Sequence, residues 1–332
     1  MPTDRPWLIK AIRANRPVVV ILGPTAVGKT HIALQVAQTF SAEIVSVDSR
    51  LLYLGMDIGT AKPTPVERSM VPHHLIDVTT PDQIWSLAQY QAAASQAIHS
   101  IHHRDRLPVL VGGTGQYVHA LTQGWEIPPV APHPGIRLAL EKWASHIGSF
   151  PLHQRLAHLD PSAAAAIDPS NVRRTIRALE VIFTTGRLFS AQKRRLAPPY
   201  TILKIGLTRP RPELYQRIDQ RIDQMLQDGF VAEVQGLLAR GYSHQLPTLS
   251  AIGYSEIAAY LRGDSTLEEA ITLMKRRTRI FVRRQANWFK PNDPSIRWFA
   301  VGDNTAVQLD HFISTWLSTL TTTADPHPKS RS

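Results

Sequence analysis

One eight-residue stretch has the residue types and the spacing that polyphosphate binding requires. It is the Walker A pattern G-x-x-x-x-G-K-T, formed by Gly23, Pro24, Thr25, Ala26, Val27, Gly28, Lys29 and Thr30. The glycines allow the backbone to turn its N–H groups toward a ligand, and the helix predicted to follow directs its positive end to the same place. The lysine adds a positive charge, and the final threonine hydroxyl can bind Mg²⁺. The stretch predicts a site for a di- or triphosphate, but the loop alone does not say which compound carries it.

The elements that must position this loop can be read from the flanking sequence. Residues 18–22 form a β-branched run typical of a buried strand, and residues 31–39 have helical character. Two further buried-type strands, at 42–47 and 108–111, end in Asp48 and in the G-G-T-G loop that holds Thr114. Ligands of parallel sheets bind beyond the carboxyl ends of the strands, so Asp48 should lie near the Walker loop, as a base or a magnesium ligand. The predicted fold class is α/β, a P-loop doubly wound parallel sheet flanked by helices.

A change of composition predicts a second domain. Residues 127–134 contain four prolines, which make a stiff connector, and residues 135–195 have an all-helical pattern. We therefore expect a small helical insertion at 128–198 within a core formed by residues 16–127 and 199–300. The predicted helix at 171–186 has an apolar stripe, and three cations lie away from it: Arg173, Arg174 and Arg177. Three more follow shortly after the helix, Lys193, Arg194 and Arg195. The insertion therefore has a basic side. Residues 1–15 and 321–332 are expected to be flexible tails.

The charge of the chain indicates a polyanionic partner. The formal net charge is +11, and a helix predicted from residue 267 to about 290 carries several cations, namely Lys275, Arg276, Arg277, Arg279, Arg283 and Arg284. Such a local excess favours nucleic-acid phosphates over a membrane surface. The sequence has no cysteine, which excludes disulfides and thiolate nucleophiles and suits a cytoplasmic enzyme.

Several segments together resemble the tRNA dimethylallyltransferases, also called isopentenyl-tRNA transferases. Besides the Walker loop, the matching stretches are S-V-D-S at 46–49, Y-L-G-M-D-I-G-T-A-K-P at 53–63, V-G-G-T-G at 111–115, R-A-L-E at 177–180, I-G-Y at 252–254, T-R at 278–279, R-Q at 284–285 and W-F at 288–289. The string at 55–63 is the most specific, and the likeness covers about residues 17–300. The chain departs from the family at Leu51, Gln116 and Ser255, where many members have glutamine, leucine and a basic residue.

The resemblance implies transfer of a dimethylallyl group from dimethylallyl diphosphate to N6 of an adenine. That adenine lies immediately 3′ of the anticodon in tRNAs that read codons beginning with U. By this resemblance the Walker loop holds the leaving diphosphate with Mg²⁺ on Thr30, and Asp48 is the general base. Thr114 bonds a diphosphate oxygen, and Lys29 and Arg221 are cationic contacts; Arg221 shares one face of a predicted helix with Arg217.

The resemblance also implies where the tRNA binds. The helical insertion would contact the anticodon stem-loop, together with loops and a helix of the core. The expected tRNA-binding residues are Asp48, Ser49, Arg50, Leu51, Thr114, Arg137, Arg173, Arg174, Arg177, Gly253, Tyr254, Arg279 and Arg283. The expected partners are tRNA and dimethylallyl diphosphate, with no membrane association and a monomeric enzyme.

Three other functions share parts of this pattern. An adenylate isopentenyltransferase uses the same core on free AMP, ADP or ATP, but it needs neither the insertion nor the basic helix. A P-loop kinase or RNA-dependent ATPase would transfer phosphate. The strand at 108–111 ends in glycines rather than an aspartate, although Asp48 could substitute for it. A non-catalytic RNA-binding protein would need no base at Asp48.

Overall fold

The structure is a computed structural model that describes residues 6–128, 133–192 and 196–322. The chain divides into two compact units: a core unit, with residues up to Val118 and from Pro199 onward, and a helical unit, His119–Pro198. The helical unit therefore begins earlier than the predicted boundary at 128. Within it, the Leu196 N–H donates to the Gly124 carbonyl oxygen at 2.9 Å, which joins residues before 128 to the far end of the unit.

A six-stranded parallel sheet forms the centre of the core unit. Its strands are β1 (Pro17–Leu22), β2 (Glu43–Ser46), β3 (His73–His74), β4 (Pro108–Gly112), β5 (Thr201–Thr208) and β6 (Ile296–Ala300). The strand order is β3-β2-β4-β1-β5-β6, and every pairing is parallel. All residues of β1 are buried, as its β-branched sequence predicts. The loops that follow β1, β2 and β4 therefore meet at one edge of the sheet.

Helices flank the sheet and make up the helical unit. They are α1 (Pro6–Asn15), α2 (Lys29–Thr39), α3 (Pro65–Met70), α4 (Leu87–His103), α5 (Gly115–Thr122), α6 (Pro134–Ile147), α7 (Ser149–Leu159), α8 (Pro161–Ala165), α9 (Val172–Thr185), α10 (Arg211–Gln227), α11 (Phe230–Ala239), α12 (Tyr254–Leu261), α13 (Leu267–Gln285) and α14 (Thr305–Thr322). Within the described residues no helix combines the length and the apolar character that a membrane span needs.

The two ends of the chain differ from the prediction. Residues 6–15, expected to be part of a flexible tail, form helix α1, which packs against α14. Leu8, Ala11 and Ile12 of α1 are buried, and this apolar burial is the physical reason that the segment is ordered. Residues 321 and 322 of the other predicted tail belong to α14. Residues 1–5, 129–132, 193–195 and 323–332 lie outside the described residues, and with them the predicted basic run Lys193, Arg194 and Arg195 and parts of the predicted connector and tails.

The helical unit has its own apolar core. Leucines 152, 156 and 179 are completely buried in it, together with small residues of α8 and α9. The α9 residues Val172, Ile176, Leu179 and Ile182 all contribute to this core, as the sequence periodicity predicts. Phe183, which the same periodicity assigns to this face, is instead exposed. The other side of α9 is therefore free to present polar groups.

Candidate active site

The Walker loop begins where β1 ends and closes into helix α2. Gly23 has a φ of +150°, and a Cβ at this position would lie 2.6 Å from the Leu207 carbonyl oxygen of β5. Gly28 precedes α2 with a φ of +108°, a conformation that residues with side chains rarely adopt. The two glycines of the pattern are thus required by the path of the backbone.

Cationic side chains bond to the carbonyl oxygens of this loop. The Lys29 ammonium donates to two of them, at 3.0 and 2.8 Å. Two arginines, Arg217 and Arg209, each donate an Nε–H to one more, at 2.8 and 3.0 Å. The four accepting residues are Gly23, Pro24, Ala26 and Val27. Because the carbonyl and the next N–H of a trans peptide point in opposite directions, the bond to the Val27 carbonyl turns the Gly28 N–H the other way.

Several N–H groups of the loop remain available to a ligand. Among the described residues, no hydrogen-bond partner is found for the N–H groups of Ala26, Gly28, Lys29 and Thr30. The last two open helix α2, where the helix dipole also favours an anion. The loop therefore has the donor arrangement of a phosphate-binding site.

Three basic side chains create a positive site beside these N–H groups. Burial lowers the pKa of Lys29 to about 8. The negative charge of Asp48 raises this pKa, and the positive charge of Arg221 lowers it further. Burial also lowers the pKa of Arg221, and repulsion from Arg217 lowers it further. Among the described residues Arg221 has no hydrogen bond or ion pair. It also lines a cavity of about 560 Å³ whose other walls come from residues 57–68, Asp77 and the end of α10, and not from the Walker loop. Three cations held together, with Asp48 as the carboxylate that acts on Lys29, mark a site that an anion would stabilise.

Asp48 and Thr114 lie at the ends of neighbouring strands, as predicted. The Asp48 carboxylate accepts the Arg50 N–H at 2.9 Å, and it is close enough to Lys29 to influence its charge. The Thr114 hydroxyl accepts the Ser49 N–H at 3.1 Å, while the Thr114 N–H donates to the Val47 carbonyl oxygen at 3.2 Å. The loops after β2 and β4 are therefore bonded to each other, and the residues predicted to be catalytic, Lys29, Asp48, Thr114 and Arg221, all belong to one side of the core unit.

Tyr254 differs from the expectation of a direct tRNA contact. Its side chain is completely buried, and its hydroxyl donates to the Glu233 carboxylate at 2.6 Å. That carboxylate also accepts three backbone N–H groups of residues 57–59, from the G-M-D-I-G segment. Gly253 has a φ of +98° and packs against Phe230. Tyr254 thus supports a loop of the core and does not present a surface to RNA.

The other expected tRNA contacts of the core unit are accessible to different degrees. Arg50 is half-buried and donates to the Thr248 carbonyl oxygen at 3.1 Å, and Leu51 is half-buried. On α13, Arg279 pairs with Asp219 at 2.6 Å. Three other arginines of this helix, Arg276, Arg283 and Arg284, are exposed and form no ion pair with any described residue. The uncompensated charge of α13 is therefore concentrated in fewer positions than its composition suggests.

In the helical unit, a buried carboxylate organises two of the predicted arginines. Glu180 has no exposed side-chain surface, and it accepts hydrogen bonds from Arg137 at 2.8 Å and from Arg177 at 2.9 Å. Burial alone would raise the pKa of Glu180, but these two bonds and one from the His133 N–H together lower it. Arg173 and Arg174 are exposed on the same helix. The four arginines thus comprise two held by Glu180 and two that extend into solvent.

Four residues of the site were missed by the sequence reasoning. Arg209 and Arg217 hold the Walker loop, Glu233 holds residues 57–59, and Gln285 bonds to Thr25. The sequence contained a signal for two of them. Arg217 shares a helix face with Arg221, and Gln285 belongs to the R-Q dipeptide at 284–285 that matches the tRNA dimethylallyltransferases. The sequence contained no signal for Arg209 and Glu233, because their contacts depend on packing between distant segments.

The fold defines an α/β P-loop protein, and the geometry of its Walker loop is suited to a polyphosphate. A family model described as IPP transferase matches residues 51–292. The chain is 54% identical over 274 residues to a tRNA dimethylallyltransferase from Roseiflexus sp. (strain RS-1), a match that covers 82% of this chain and 90% of that protein. It is 52% identical over 280 residues to a tRNA dimethylallyltransferase from Herpetosiphon aurantiacus, covering 84% and 89%.

Solved structures give the same result. The chain matches the crystal structure of a tRNA isopentenylpyrophosphate transferase from Bacillus halodurans with a TM-score of 0.70 and 41% identity, over 93% of this chain and 99% of that one. It matches a eukaryotic dimethylallyltransferase acting on tRNA with a TM-score of 0.74 and 27% identity, over 90% and 80%. The chain belongs to the IPP transferase family, and within it to the tRNA dimethylallyltransferases. The predicted family, fold class and enzyme class, a prenyltransferase, are confirmed.

Proposed function

We propose that this tRNA prenyltransferase moves a dimethylallyl group from dimethylallyl diphosphate to N6 of the adenine immediately 3′ of the anticodon, in tRNAs that read codons beginning with U. The products are N6-dimethylallyladenosine and diphosphate. One observation carries the proposal. Walker loop N–H groups that have no partner in the described part of the chain, and the cations Lys29 and Arg221, lie on the same side of the sheet as Asp48. The Walker loop, which would bind the leaving anion, therefore lies near Asp48, which would act as the base.

The Walker loop would bind the diphosphate through residues 23–30. As the allylic C–O bond breaks, positive charge spreads over the dimethylallyl group and negative charge develops on the departing diphosphate. Lys29, Arg221 and the N–H groups that have no partner among the described residues would stabilise that negative charge. The Lys29 ammonium, which now donates to the Gly23 and Pro24 carbonyl oxygens, would turn toward the diphosphate to do so. Because the diphosphate is the leaving group, no phosphoryl group is transferred.

Mg²⁺ is the cofactor that we propose for the diphosphate. Among the described residues no group bonds to the Thr30 hydroxyl at the start of α2, and no cluster of three metal-ligating side chains is found. A hydroxyl and the oxygens of a diphosphate are hard ligands, which fit a cation that keeps several of its waters. When bound, Mg²⁺ would neutralise part of the charge on the diphosphate.

Asp48 would accept the proton from N6 as the new C–N bond forms. An exocyclic adenine amine is a weak nucleophile because its lone pair is delocalised into the ring, so removal of its proton assists attack on the allylic carbon. A positioned base contributes about 10²–10⁴-fold. Thr114, whose hydroxyl already accepts the Ser49 N–H, would donate its own hydrogen to a diphosphate oxygen.

The tRNA would be held by cations of both units. In the helical unit Arg137 and Arg177 are fixed by Glu180, and Arg173 and Arg174 are exposed, an arrangement suited to phosphates of the anticodon stem-loop. In the core unit the proposed contacts include Ser49, Arg50, Leu51, Arg279 and Arg283. Gly253, expected among them, is buried and donates its N–H to Glu256, so it is not proposed as a contact. The target adenine must leave its stack to reach Asp48, at a cost of a few kcal/mol. We further propose that the enzyme is a cytoplasmic monomer, which fits a site built from one chain.

The test is mass spectrometry of a synthetic anticodon stem-loop after incubation with dimethylallyl diphosphate and Mg²⁺. We expect the dimethylallyl mass on the adenine 3′ of the anticodon, and none on a matched stem-loop with guanine at that position. Parallel reactions with AMP, ADP and ATP should give little product. Comparable turnover on AMP would contradict the proposal and favour an adenylate isopentenyltransferase.

A further inference from the structure

The last residue of helix α13, Gln285, joins the two loops that flank the reaction centre. Its Oε1 accepts the Thr25 N–H of the Walker loop at 2.9 Å, and its Nε2 donates to the Gly113 carbonyl oxygen at 3.3 Å. The residue is only 6% exposed. The two bonds use opposite ends of one amide, so the orientation of the side chain is determined by its partners.

The glycines of the G-G-T-G loop have a steric explanation in the same region. A Cβ on Gly113 would lie 2.3 Å from the Gln285 Nε2 atom, and a Cβ on Gly115 would lie 2.2 Å from Cγ of Trp288. Trp288 is close to the end of α13, and its N–H donates to the Gln285 carbonyl oxygen at 3.1 Å. The two glycines therefore allow this end of α13 to pack directly against the loop that carries Thr114.

We infer that Gln285 is a positioning residue, which sets the distance between the Walker loop and the loop that carries Thr114. The Thr114 hydroxyl accepts the Ser49 N–H, so the same connection extends to the residue next to Asp48. Gln285 also accepts the Thr25 N–H, so this N–H is not available to the diphosphate. The diphosphate would bind to N–H groups later in the loop. The inference rests on the proposed roles of Asp48, Thr114 and the Walker loop. Misplacement of reacting groups by about 1 Å can reduce a rate by about 10²-fold.

Two variants of Gln285 separate its hydrogen bonds from its volume. Gln285→Met keeps the length of the side chain but removes both bonds. Gln285→Glu keeps an acceptor for the Thr25 N–H and places a second oxygen against the Gly113 carbonyl. Gln308→Glu, at an exposed position of α14, is the matched control for the change of charge. We expect kcat to fall by about ten- to a hundredfold in both Gln285 variants, with KM for tRNA changed by less than about threefold. The control should match the parent.

The pH profile supplies a readout that a packing role would not change. In Gln285→Glu, protonation of the introduced carboxyl restores a donor toward the Gly113 carbonyl oxygen. Burial and that carbonyl favour the protonated form, whereas the Lys29 ammonium, bonded to the same Walker loop, opposes it. The rate of Gln285→Glu relative to the parent should therefore rise as the pH is lowered from about 8 to about 6.

The outcomes distinguish this inference from the proposed function. If the parent transfers no dimethylallyl group, the proposed function fails. If the parent transfers it and folded Gln285→Met keeps kcat within about twofold, the positioning role is overturned. Thermal unfolding shows whether each variant is folded. Should Gln285→Met not fold, a relative rate of Gln285→Glu that stays constant with pH overturns the inference, and a rise toward low pH supports it.

Discussion

Deprotonation of Lys29 should reduce the capture of dimethylallyl diphosphate at alkaline pH. Burial holds the pKa of this ammonium near 8, so the residue begins to lose its charge well below the pH at which an exposed lysine does. The value of kcat/KM for dimethylallyl diphosphate reports the ionisation of the enzyme form that captures it, before any diphosphate is bound to the loop in which Lys29 lies.

The size of the effect follows from the pKa. With a pKa of about 8, the charged fraction of Lys29 is about 0.9 at pH 7 and about 0.1 at pH 9. If only the charged form captures the diphosphate, kcat/KM for dimethylallyl diphosphate falls about tenfold for each further pH unit. The lysine is charged at low pH, so the loss runs in one direction, with rising pH.

The assay is the initial rate of prenylation at subsaturating dimethylallyl diphosphate and saturating stem-loop. Lys29→Arg is the matched control, because a guanidinium stays charged across this range; its rate should be lower but flat above about pH 8. Arg221→Gln should move the inflection to higher pH, since the charge of Arg221 lowers the pKa of Lys29. A parent profile that is flat between about pH 7 and 9.5, parallel to that of Lys29→Arg, would refute the reasoning.

Three further changes test other parts of the account. Asp48→Asn should lower the rate of transfer by about 10²–10⁴-fold while tRNA affinity, measured by fluorescence anisotropy, changes little; an unchanged rate would remove Asp48 as the base. Arg283→Gln should reduce the slope of log affinity for tRNA against log salt by about one, whereas Arg297→Gln, at an exposed position of β6, should leave it unaltered. Glu180→Gln should lower the free energy of urea unfolding by about 2 kcal/mol, since it leaves two part-exposed arginines without their counter-ion; a change below about 0.5 kcal/mol would contradict the role given to this carboxylate.

Local patterns predicted the parts of the site that lie within one segment. The Walker loop, the strand ends at Asp48 and at residues 112–115, and the apolar face of α9 all follow from spacing that short stretches of sequence contain. Their geometry depends on strand pairing and helix periodicity, which are regular. The sequence also supported the division into a sheet-based core and a helical insertion, although the boundary lay several residues too late.

Contacts between distant segments could not be predicted in this way. Gln285 meets a loop 260 positions earlier in the chain, and Arg217 meets one 191 positions earlier. The burial of Tyr254 beneath residues 57–59 has the same origin. Strand β6 was missed because it is an edge strand whose residues are mostly exposed or half-buried, so it lacks the continuous apolar run of β1.

The proposal that the Walker loop holds a leaving diphosphate is tested by measuring which phosphate compound the reaction releases. Anticodon stem-loop, dimethylallyl diphosphate and Mg²⁺ are incubated with the protein in the absence of ATP, and diphosphate, orthophosphate and N6-dimethylallyladenosine are quantified together. If the loop holds a leaving diphosphate, one diphosphate is released for each dimethylallyladenosine formed, and no orthophosphate appears. Release of orthophosphate, or product that forms only when ATP is added, would contradict that proposal.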